Sequence, residues 1–141
     1  GIIDKPIGIS RSDFRQWSAE KGARGVLREA TTEYEVISRS DASADLRRLD
    51  AEDRGNEQFT YLKVYPKTGR THQIRVHLKA IGHPVLCDKL YAKNRPCAGG
   101  LSRMALHAFS ISMKAPDGAS ITIEAPVPKD FEGALAELAL S

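Results

Sequence analysis

The densest chemistry in the chain lies between residues 65 and 91. Tyr65-Pro66-Lys67-Thr68-Gly69-Arg70-Thr71-His72-Gln73-Ile74-Arg75-Val76-His77-Leu78 runs on to Gly82-His83-Pro84-Val85-Leu86-Cys87-Asp88-Lys89-Leu90-Tyr91. Guanidinium, ammonium, imidazole, amide and hydroxyl groups crowd around one glycine turn. Gly69, Arg70 and Thr71 sit where a helix should begin, and free backbone N–H groups there favour an anion. With the arginines, this arrangement suits a phosphate-bearing partner.

Local elements must position these groups. Thr60 to Tyr65 alternates and is rich in aromatic and β-branched residues, which predicts a strand ended by Pro66. Thr68-Gly69 reads as a turn, because glycine tolerates positive φ. Thr71 is a good N-cap for a helix over 72–81, with Gly82 at C′ and Pro84 beyond it. On that helix Ile74, Leu78 and Ile81 share an apolar face, and His72, Arg75 and Lys79 share a polar one. His72 and His77 are five residues apart, about 140° around a helix, so they do not face one ion. No metal site is expected. A hydrolase using the histidines and Asp88 around a metal is the weakest rival reading. Asp88 reads as a turn or capping residue rather than a base.

The run Pro66-Lys67-Thr68-Gly69-Arg70-Thr71-His72-Gln73-Ile74-Arg75-Val76-His77-Leu78, with Ile81-Gly82-His83-Pro84, Asp88 and Tyr91 after it, resembles the signature of RluA-type RNA pseudouridine synthases. Gly1 to Gly8, Ala30 to Val36, Met104 to Ala108 and Glu124 to Pro128 resemble other stretches of that family. The likeness spans most of the chain but about the second half of the family's catalytic domain. It implies isomerisation of uridines in structured RNA, rRNA or tRNA, with no cofactor and no metal. It also implies a catalytic aspartate in an Arg-Leu-Asp-x-x-Thr-Ser-Gly motif upstream of the segment matching Gly1 to Gly8. The missing N-terminal half of the domain would then be a partner, and residues 1–141 alone would be inactive. The rival reading is a non-catalytic RNA-binding module derived from that fold.

On this resemblance Arg75 occupies the position that pairs with the catalytic aspartate, so within this chain it should lack its partner. Arg70, Thr71, His72, Gln73 and Lys79 are the expected RNA-binding residues, although Arg70, Thr71 and Gln73 read equally well as fixing the turn. Ile74 and Leu106 would floor the substrate pocket, and ordinary core packing fits them as well. Lys89, Lys93, Arg95 and Arg103 join Arg70 and Lys79 as candidate phosphate contacts. In the family the residues around Asp88 usually read Gly-Asp-Pro; here they are Cys87-Asp88-Lys89. Tyr91 is expected to pack. Arg48-Leu49-Asp50-Ala51-Glu52-Asp53-Arg54-Gly55 matches part of the aspartate motif, but its place between two strands and its run of charges mark a solvated hairpin tip.

The rest of the chain frames this stretch. With 141 residues and a net charge of +3, it is long enough for one domain with its own core and mildly basic. No apolar run approaches a membrane span, and no signal-peptide pattern occurs. Cys87 and Cys97 form no C-x-x-C pair and suggest no disulfide framework, which fits a reducing cytoplasm. Residues 1–8 are apolar and turn at Pro6-Ile7-Gly8. Residues 9–29 read as a loosely structured basic connection with a short strand near its end. Thr32 to Arg39 and Gln58 to Tyr65 form a long hairpin around a charged loop, and 92–103 form a loop. Met104 to Lys114 and Ser120 to Glu124 form a second hairpin across Pro116-Asp117-Gly118. Asp130 caps a last helix bearing Phe131, Leu135 and Leu138. The sum is α+β, a mainly antiparallel sheet with flanking helices. Its apolar surface is expected to seek the other half-domain or a second copy.

Overall fold

Period-two alternation builds the longest element, the hairpin of Thr31–Arg39 (β5) and Thr60–Pro66 (β6), in a computed structural model that describes residues 1–21, 23–40 and 58–140. Tyr34 faces Val64 and Val36 faces Leu62, with a bulge between Val36 and Ser38. Ile2–Asp4 (β1) adds to the other edge of β5, giving the order β1-β5-β6. Asp50 and the other residues of 41–57, read from the sequence as a hairpin loop, lie outside the described residues.

Residues 7–28 hold a second small sheet where the sequence reads as a loose connection. Ile7–Ile9 (β2) is its centre, flanked by Trp17–Ser18 (β3) and Arg24–Arg28 (β4). β2 and β3, of three and two residues, carry almost no periodic signal. Gly8 lets β2 and β4 approach closely, since a Cβ there would come within 2.6 Å of Leu27 Cδ2 and 2.8 Å of the Arg24 carbonyl oxygen.

The signature helix runs Gln73–Ala80 (α1), one residue shorter at each end than its spacing suggests. Thr71 does not cap it. His72 occupies the N-cap in the left-handed region at φ 56°, and no side chain caps the helix there. At the other end Gly82 takes φ +85°. The Gly82 N–H then bonds to the Lys79 carbonyl at 2.9 Å and the His83 N–H to that of Leu78 at 2.9 Å, a Schellman closure that satisfies two free carbonyls. The expected apolar face is buried: Leu78 packs with Ile3 and Val85, and Ile74, Ile81, Tyr34, Leu62 and Leu106 pack around them. Val76 enters a separate cluster with Ile7, Ala30 and Tyr91. The helix thus joins the two sheets.

Ser110–Lys114 (β7) and Ser120–Glu124 (β8) form the second hairpin. Its first strand begins six residues later than the sequence reading, because Met104, Ala105 and Leu106 pack against the Leu78 cluster instead. Ile111, Met113, Ile121 and Ile123 remain exposed on it. In the final helix, Lys129–Glu137 (α2), Pro128 holds the N-cap position, and Asp130 lies in the first turn without capping it. All strand pairs are antiparallel. No helix among the described residues is long and apolar enough to cross a membrane.

Candidate functional site

The polar face of α1 converges on one tyrosine. The Arg75 guanidinium carbon lies 4.8 Å from the centre of the Tyr91 ring and the Lys79 ammonium 5.7 Å from it. His72 Nδ1 is 3.0 Å from the Tyr91 hydroxyl, which also accepts the Trp17 N–H at 3.0 Å. Burial, then the charge of Arg75, pushes the His72 pKa down, so a neutral imidazole can accept the tyrosine proton. Burial raises the Tyr91 pKa. Tyr91 packs, as expected, and it also organises the cationic face.

Arg75 is not unpartnered. Its Nε–H donates to Asp88 Oδ2 at 2.7 Å and its Nη2–H to Oδ1 at 2.8 Å, in a fork against a carboxylate thirteen residues along the chain. The Arg75 side chain is 16% exposed and that of Asp88 1%. Asp88 Oδ1 also accepts the N–H groups of Leu90 and Tyr91, each at 3.0 Å. Burial alone would raise the Asp88 pKa, but the bonds from Arg75, Tyr91 and Leu90 outweigh it and hold the carboxyl below the usual range. Asp88 therefore caps its turn, as its sequence position suggests, and also forms an ion pair that no spacing rule announces. Cys87, at the family's glycine position, adopts φ 59° to form that turn.

Gln73, for which fixing the turn and contacting RNA read equally well, is turned into the fold. It is 4% exposed and its amide is fully used. Its oxygen accepts the Thr68 hydroxyl at 2.7 Å and the Arg70 N–H at 3.0 Å; its nitrogen donates to the Thr31 carbonyl and Thr32 Oγ1, both at 3.0 Å. This folded-back amide ties the turn before α1 to β5 and leaves the helix without a side-chain cap. His77 extends the network: Nε2–H donates to the Lys5 carbonyl at 2.9 Å, so Nδ1 accepts the Thr32 hydroxyl at 2.8 Å. Its burial lowers its pKa and keeps it neutral. Both nitrogens of His77 and both oxygens of Asp88 are engaged within the fold, and among the described residues no three His, Cys, Asp or Glu side chains are grouped to hold a metal ion.

Arg70 and Thr71 are exposed, with Arg70 Nε donating to the Glu29 carbonyl at 3.0 Å. His72 and Lys79 are half-buried beside Arg75. Ile74 and Leu106 pack around the Leu78 cluster, and Leu106 also lines a cavity of about 420 Å³ with Leu62, Leu78, Val85 and Phe131. Arg75, Asp88 and Tyr91 are not among its walls. Of the candidate phosphate contacts, Arg103 is neutralised by a fork with Asp130 at 2.7 and 2.9 Å, and Lys93 lies 3.6 Å from Asp13. Arg70, Lys79, Lys89 and Arg95 form no ion pair among the described residues. Cys87 and Cys97 are brought side by side, with Cα atoms 4.8 Å apart, although their spacing suggests no pairing. The intervening loop folds back in a way the spacing does not show.

Comparison with known proteins follows the same residues. The family profile described as RNA pseudouridylate synthase matches residues 1–80, from β1 through α1. An uncharacterized RNA pseudouridine synthase of Synechocystis is 34% identical over 142 residues, covering 98% of this chain and 37% of that protein. The dual-specificity RNA pseudouridine synthase RluA of Yersinia pestis is 35% identical over 117 residues, covering 83% of this chain and 48% of that protein. The solved structure of human RNA pseudouridylate synthase domain containing 1 superposes with a TM-score of 0.67 at 26% identity, over 91% of this chain and 48% of that one. The chain thus spans less than half the length of these relatives.

Proposed function

Since this chain belongs to the RNA pseudouridylate synthase family, of RluA type, we propose that the protein carrying it converts uridine to pseudouridine in structured RNA, rRNA or tRNA. In that reaction the C1′–N1 bond breaks, the ring turns, C1′ bonds to C5, the C5 hydrogen leaves and N1 gains a proton. A stacked uridine is out of reach of side chains, so the target must be flipped out. Arg75 pairs with a catalytic carboxylate supplied from outside the described residues, keeping it ionised and aimed at the nucleotide. Arg70, Thr71, His72 and Lys79 face the RNA, and Ile74 and Leu106 support the pocket floor.

The observation that carries this reading is the state of Arg75. Its fork to Asp88 uses Nε and one Nη2 proton. Nη1 and the second Nη2 proton have no acceptor among the described residues, and Nη1 is not sealed from solvent. Such donors suit an incoming anion.

The test is tritium release from RNA labelled at uridine C5, using total RNA from a strain lacking the gene. The full-length gene product should release tritium, and residues 1–141 alone should not. No release by the full-length protein, with RNA binding intact, would favour the non-catalytic RNA-binding module. Release by residues 1–141 alone would contradict an external carboxylate and direct attention to Asp50.

A further inference from the structure

We infer that Asp88 is a positioning residue: it fixes the guanidinium of Arg75 so that its remaining donors point at the reacting carboxylate. The inference rests on the pseudouridine synthase reading above. Asp88 lies beyond residues 1–80, which the family profile matches.

An arginine on a helix has several rotatable bonds, and an unrestrained fork would sample many directions. Here two contacts remove that freedom. Asp88 takes the Nε/Nη2 edge at 2.7 and 2.8 Å, and the Tyr91 ring lies against the guanidinium at 4.8 Å. Because the group is planar and rigid, fixing one edge fixes the direction of the other. Asp88 cannot swing away, since its Oδ1 is held by the Leu90 and Tyr91 N–H groups at 3.0 Å each. The same turn therefore sets the carboxylate that orients Arg75 and the ring beneath it. A second carboxylate would meet donors already in place, so less ordering is left to the moment of reaction.

A residue that only closed its turn would need just the Oδ1 acceptor. Asp88→Asn can retain that acceptor while losing the carboxylate fork to Arg75. In the full-length protein assayed by tritium release from C5-labelled RNA, this variant should lose about a hundredfold in kcat, with KM within about twofold of wild type. Asp88→Glu restores the charge at a displaced position and should recover about tenfold of that loss. Altering one partner of a pair this buried lowers the melting temperature, so turnover is compared at a temperature where circular dichroism shows each variant folded. If Asp88→Asn fails to fold, Asp88→Glu decides: a lowered kcat at unchanged KM in folded protein supports the role, and an unchanged kcat overturns it. Wild-type turnover in a folded Asp88→Asn overturns the role while leaving the activity standing. No turnover by the wild-type protein overturns the activity, and this role with it.

Discussion

Gln73 and Thr32, 41 residues apart in the chain, are joined side chain to side chain: Gln73 Nε2 donates to Thr32 Oγ1 at 3.0 Å. The contact links the signature helix to β5 and continues through His77 to Lys5. It makes the turn before α1 part of the core.

Removing that amide should be costly. Gln73→Ala leaves the Thr68 hydroxyl and the Arg70 N–H to find other partners in a part-buried site, takes one of two donors from the Thr31 carbonyl, and removes a buried bond to Thr32 Oγ1. Unmade buried hydrogen bonds of this kind cost about 1–3 kcal/mol each before relaxation. We expect a net loss of about 2–4 kcal/mol in urea unfolding. A loss under about 0.5 kcal/mol, the usual surface range, would show that the network does not hold the helix to β5.

How much of this was legible in the sequence depended on how local each cause was. The β5–β6 hairpin, α1 and its Gly82 closure, and the apolar face of Ile74, Leu78 and Ile81 follow from alternation, helical spacing and one glycine. In the small sheet β4 is the short strand expected near the end of 9–29, but β2 and β3 are not legible, since strands of three and two residues are fixed by contacts such as Trp17 N–H to Tyr91. The helix start is not legible, because no side chain caps it and Gln73 instead ties the preceding turn through Thr68 and Arg70. The Arg75–Asp88 pair was hidden because it depends on the path of residues 82–91, including Cys87 at positive φ.

Acidification should weaken the fold well before the carboxylates titrate. His77 and His72 both have pKa values lowered by burial. An unfolded histidine titrates near about 6.5, so below that pH the unfolded state binds more protons and stability falls. Asp4 and Lys5 are the charged groups that bear on His77. The melting temperature should be flat above about pH 7 and fall between about pH 6.5 and 5. His77→Gln should lessen that slope. A melting temperature constant or rising through this range would contradict neutral, buried imidazoles.

The central claim is that Arg75 serves the reaction and not the binding of RNA, and one variant tests it most directly. In the full-length protein, Arg75→Ala should lower tritium release by about a hundredfold or more, while RNA affinity stays within about threefold of wild type. Turnover near wild type in that variant, or a loss of RNA binding that alone explains the lost turnover, would contradict the account.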